Sequence, residues 1–123
     1  MPPPVYKLMT VNTVPERAKR IIGRIVEDVK DRWTIQYVVN AERIEEVLPT
    51  LERERPDIMF VASMWTPEEQ QELVLIAEQT IPGIKTFKIP SGLQVEKGPD
   101  AIVDFIKENL PSILDSPAPK ESL

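Results

Sequence analysis

The side chains that could hold or act on a ligand here are hydroxyls, an amide and an indole, gathered in three short stretches. These are Asn12-Thr13, Ser63-Met64-Trp65-Thr66 and Pro90-Ser91-Gly92-Leu93. Two of them lead into similar runs, Thr13-Val14-Pro15-Glu16 and Thr66-Pro67-Glu68-Glu69. Both read as helix starts, with a Thr cap, a proline near the first helical position where its missing N–H costs nothing, and a Glu that can close a capping box. A hydroxyl beside free backbone N–H groups at a helix N-terminus binds phosphate or carboxylate. The same residues also serve as plain caps in helices that bind nothing. Met64 and Trp65 stand directly before the second cap, where no sheet requires an aromatic. Trp65 either folds back as core or lies exposed as a stacking surface for a flat ligand or an anchor for a partner.

Other chemistry is excluded by composition. The chain has no histidine and no cysteine, which removes the usual general base, thiol catalysis, thiolate metal sites and disulfides. Glu68, Glu69 and Glu72 do not form an acid–base pair, because neighbours on a helix diverge and first-turn acids are explained by the helix dipole. Gly23, Gly83, Gly92 and Gly98 are too far apart for a phosphate-cradling loop. No catalytic residue and no metal ligand is therefore assigned, and no motif names a cofactor. A formal charge of −5 argues against nucleic acid. No apolar run approaches the roughly 20 residues of a membrane span, and Met1-Pro2-Pro3-Pro4 lacks the features of a signal peptide. A cytoplasmic protein is expected.

The elements that must position these stretches alternate strand and helix. Val5 to Val11 reads as a strand, and the helix after it carries Val14, Ala18, Ile21, Ile22, Ile25, Val26 and Val29 on one stripe. The outer face of that helix begins basic, with Arg17, Lys19, Arg20 and Arg24, and ends with Glu27, Asp28 and Asp31. This order is opposite to what the dipole favours. It is either a solvated face or an anion-attracting patch. Trp33 to Val39 is a second strand. Asn40 is expected to cap a helix from Ala41 towards Arg55, with Ile44, Val47, Leu48 and Leu51 inward and a kink at Pro49. Ile58 to Ala62 is unbroken apolar sequence, which is how a strand buried on both faces reads. A helix from Pro67 to about Thr80 follows. Ile84 to Ile89 alternates and carries Lys85 and Lys88, which suits a side strand. Leu93 to Lys97 is a loop or an extra edge strand. A last helix starts at Gly98-Pro99-Asp100 and begins to terminate at Pro111.

Crossover handedness and the need to cover both sheet faces give a three-layer α/β domain over residues 1–115. Its parallel sheet has strand order 2-1-3-4, with four strands, or five if 93–97 joins, and residues 116–123 form a solvated, disordered tail. In that topology the loops after strands 1, 3 and 4 emerge together, so Asn12, Thr13, Ser63, Met64, Trp65, Thr66, Ser91 and Gly92 are the candidate ligand-binding residues.

The run Arg55-Pro56-Asp57 plus its apolar strand, with the prolyl helix start after strand 1, resembles the receiver domains of response regulators. The likeness covers roughly Val5 to Ile89 and implies a flavodoxin-like, degenerate receiver-like shape. Receivers carry an acidic pair where this chain has Asn12-Thr13, and a phosphorylated aspartate where it has Ala62-Ser63. The phosphorylation chemistry is thus expected to be missing, since Mg²⁺ has no carboxylates there. The leading expectation is a non-catalytic binding or protein-interaction module. The competing one is a small anionic or nucleotide-like ligand, or an enzyme subunit, with its site on the hydroxyl-bearing loops. A third is a homo-oligomer formed through a sheet edge or helix face.

Overall fold

The computed structural model describes residues 5–115. The leader at 1–4 and the expected tail at 116–123 lie outside the described residues. Strands β1 (Val5–Val11), β2 (Thr34–Ala41), β3 (Ile58–Val61) and β4 (Lys85–Lys88) alternate with helices α1 (Pro15–Asp28), α2 (Ile44–Glu54) and α3 (Pro67–Thr80). A short α4 (Leu93–Lys97) and a long α5 (Pro99–Leu114) follow. All pairings are parallel and the order is β2-β1-β3-β4, a three-layer flavodoxin-like topology.

The apolar run of β3 has the expected cause. Ile58 and Phe60 face one core, which α1 and α5 cover with Ile22, Ile25, Ile106 and Leu110. Met59 and Val61 face the other, which α2 and α3 cover with Val47, Leu51, Leu73 and Ala77. A strand buried on both sides has no position to spare for a polar residue. Phe87 ties β4 to the first core, edge-on to Phe60 at 5.6 Å and stacked on Phe105 at 5.5 Å.

Several local expectations are corrected. Asn40 does not cap α2: β2 runs on to Ala41, and α2 begins only at Ile44 after Arg43. With the helix set that way, Val47, Thr50 and Leu51 face inward and Leu48 lies on the flank, 47% exposed. Val14 precedes α1 and is also exposed. Pro49, where a kink is expected, is not among the corrections: it lies inside α2, which runs on to Glu54. Residues 93–97 are neither loop nor strand: Gly92, at φ +86°, turns the chain into α4, so the sheet has four strands. Pro111 does not end α5, which continues to Leu114 because Leu110 and Leu114 are both buried in the first core.

Candidate functional site

The carboxyl end of the sheet is shaped by one irregularity. β1 and β2 keep register from Val5 opposite Thr34 to Leu8 opposite Tyr37, then skip Val38, so that Met9 faces Val39. The skip exchanges the faces of the strand: Ile35 and Tyr37 pack with the α1/α5 core, whereas Val39 and Ala41 pack with the α2/α3 core. In an unbroken strand all four would share a face. As a result Asn40 comes over β1 beside Thr10 instead of pointing to α2.

A directed chain of hydrogen bonds follows. Asn40 Nδ2 donates to the Asn12 carbonyl at 3.0 Å, which leaves Asn40 Oδ1 to accept from Thr10 Oγ1 at 2.6 Å. A hydroxyl has one hydrogen, so Tyr37 must be the donor in its 2.5 Å contact with Thr10. Burial pushes the Tyr37 phenol above its usual range. A Thr10 hydroxyl turned towards the phenolate would lower it, but that hydrogen is committed to Asn40. Asn12 Oδ1 in turn accepts from Val14 N–H at 2.7 Å, which fixes the entry to α1.

The β3–α3 loop is held just as completely. Trp65 is 8% exposed, and its Nε1 donates to the Val11 carbonyl at 2.9 Å, which also receives Ala62 N–H at 3.2 Å. Gln70 is buried, and its Nε2 donates to the carbonyls of Ala62 and Ile89 at 3.1 and 2.7 Å, clamping the ends of β3 and β4. Ser91 Oγ donates to the Trp65 carbonyl at 2.9 Å, Gly92 N–H to the Ser63 carbonyl at 2.9 Å, and Gln94 N–H to Ser63 Oγ at 3.4 Å. Thr66 and Glu69 close the expected capping box reciprocally, at 3.1 and 2.9 Å. No buried side-chain nitrogen or oxygen among the described residues lacks a partner.

These bonds leave a cavity of about 30 Å³ between α1, β1, β3 and α4, room for one or two waters. Asn12, Ser63 and Met64 line it, with Thr10, Arg17 and Gln94 as its other polar members. Trp65, Thr66, Ser91 and Gly92 belong to the bonding around it and do not line it. Trp65 is core, which decides between the two outcomes open for its ring and removes the exposed platform. Thr13 is exposed and does not cap: Val14 precedes a proline, is therefore kept out of the helical region, and becomes the cap residue itself at φ −121°. Asn40 was marked only as an expected helix cap, and Thr10, Tyr37, Gln70 and Gln94 by no motif. Gln70 alone left a trace, as a polar residue three positions before Leu73 on the inward stripe of α3.

Among the described residues no group of three or more carboxylates or other ligating side chains is placed to hold a metal, and no helix is long and apolar enough to cross a membrane. Fold and crevice together define a flavodoxin-like α/β domain whose switch point is filled by its own side chains. No family model and no curated protein matches the sequence.

Proposed function

We propose that this chain is a non-catalytic protein-interaction or regulatory module of flavodoxin-like shape. The observation that carries this reading is the crevice at the carboxyl ends of the strands. A pocket for a small molecule or cofactor normally offers roughly 300–1,000 Å³ with a few convergent free polar groups. The space here is about 30 Å³, and Thr10, Asn12, Asn40, Ser63, Gln70 and Ser91 around it are spent on one another or on the backbone, with Arg17 at its rim the exception. The receiver resemblance supports the same reading, since Asn12, Thr13, Ala62 and Ser63 supply no carboxylate where that chemistry needs three. Asp57 stands at the opposite end of β3, accepting from Lys7 N–H at 2.8 Å.

The test is a thermal-shift screen of the full chain against nucleotides, flavins and phosphorylated metabolites. A ligand at 100 times its dissociation constant adds about 2.7 kcal/mol, a shift of several degrees at this size. No shift is expected. A reproducible, saturable rise with one compound class would replace this reading with that of a small-molecule protein whose crevice opens.

A further inference from the structure

Helix α1 is charged against its own dipole. Acids are favoured at a helix N-terminus and bases at its C-terminus, yet in the first half of α1 a single acid, Glu16, is outnumbered by Arg17, Lys19 and Arg20, and the last turn holds Glu27 and Asp28 and no base. The rest of the chain answers the two ends differently. Asp28 accepts from Lys107 at 3.0 Å and Glu27 from Lys30 at 2.5 Å. At the other end Arg24 pairs with Asp100 at 2.8 Å, but Arg17, Lys19 and Arg20 form no ion pair among the described residues. Glu16, one turn before Arg20, forms no ion pair with it either, and Arg17 and Arg20, one turn apart, repel each other. A local rule broken without internal compensation points outside the chain.

The surroundings give that outside charge a shape. Arg17, Arg20 and Arg24 line, with Ile21, Gln94 and Pro99, a groove of about 340 Å³ between α1 and the corner where α4 meets α5. From Arg17 to Arg24 the helix rises about 10 Å, too far for one carboxylate or phosphate and about the span of three extended residues. Guanidinium groups match carboxylates as planar forks. The net charge of −5 repels a nucleic-acid polyanion, whereas a short acidic segment meets only the local patch. Met64, 36% exposed, lines the neighbouring cavity together with Arg17 and offers an apolar contact beside the charges.

We infer that the outer face of α1 and this groove dock an acidic, amphipathic segment of a partner protein. The inference rests on the interaction-module reading and names the partner's chemistry.

The test uses the full chain and a fluorescein-labelled amphipathic peptide with glutamate at every third or fourth position and leucine between. The control is the same peptide with glutamine for glutamate. Binding by anisotropy should weaken with salt, and should fall at least about tenfold for the glutamine peptide and for the Arg17→Glu/Arg20→Glu chain. That variant should keep the parent's fold, with a melting temperature within a few degrees of it, since surface substitutions of this kind change stability little. Equal binding of the two peptides, binding unchanged by the charge reversal, or no binding overturns the docking site. Salt-sensitive dimerisation of the parent, lost in the variant, makes the occupant a second copy and overturns the partner assignment. None of these outcomes revives a small-molecule crevice, which the ligand screen decides separately.

Discussion

The carboxyl end of the sheet and the outer face of α1 are neighbours that treat their polar groups in opposite ways. Around the crevice, Thr10, Asn12, Tyr37, Asn40, Ser63, Gln70 and Ser91 each bond another part of the chain. On the first turns of α1, Arg17, Lys19 and Arg20 have no ion pair among the described residues. Satisfied polar groups specify one arrangement of the loops and leave little for a ligand to compete for. Surface cations without a formed ion pair add little to folding and remain available. The difference separates what builds the domain from what it offers to others, and it implies that substitutions in the two regions change different measurements.

The largest effect should come from the indole. Trp65→Ala removes a buried ring and leaves the Val11 carbonyl with one partner fewer. A loss of about 3–5 kcal/mol is expected in urea unfolding. Arg17→Ala, taken as the surface counterpart, should stay within about 0.5 kcal/mol. Comparable losses from the two would erase the contrast between the regions.

The amide of Asn40 sharpens the comparison within the crevice. Asn40→Ala strands the Thr10 hydroxyl and the Asn12 carbonyl, and should cost about 1–3 kcal/mol. It also frees the Thr10 hydrogen to turn towards Tyr37. The folded-state phenol lies above its unfolded value of about 10, because of burial. A raised folded value means that this contribution to stability is complete below the unfolded value and is lost as pH rises through the folded one. In Asn40→Ala the tyrosinate absorbance should therefore appear at lower pH than in the parent, with Tyr37→Phe identifying the transition. An unchanged or later transition would show that Tyr37 does not donate to Thr10.

The fold was readable where one residue's demand coincides with the pattern around it. The run Ile58 to Ala62 has no polar interruption because β3 is covered on both faces, and Pro67 and Pro99 both open helices at their first position. The crevice was less readable, because it depends on pairings between distant residues. Nothing near Val38 announces that β2 skips a residue against β1, yet that skip turns Asn40 from a plausible cap into the partner of Thr10 and Asn12. Trp65 was read with two outcomes open. What decided between them was the Val11 carbonyl, 54 positions earlier in the chain. The reversed charge order of α1 was visible in the sequence, but which of its charges find partners depends on α5.

The smallest predicted effect separates two threonines that look alike. Thr66 directly precedes Pro67, so its extended backbone, at φ −67° and ψ 159°, is both what a residue before proline prefers and what an N-cap requires. Its hydroxyl accepts from Glu69 N–H, and the Glu69 carboxylate reaches back to Thr66 N–H. Thr13 stands one residue further from its proline. Val14 takes the cap position, and Asn12 Oδ1, not Thr13, receives the Val14 N–H. Thr66→Ala should therefore cost about 1 kcal/mol, and Thr13→Ala should fall within about 0.5 kcal/mol of the parent, as exposed substitutions without a partner do. Chemical denaturation of the two variants beside the parent measures both. If Thr13→Ala costs as much as Thr66→Ala, the helix start after β1 is capped by its threonine after all, and the inserted valine has not moved it.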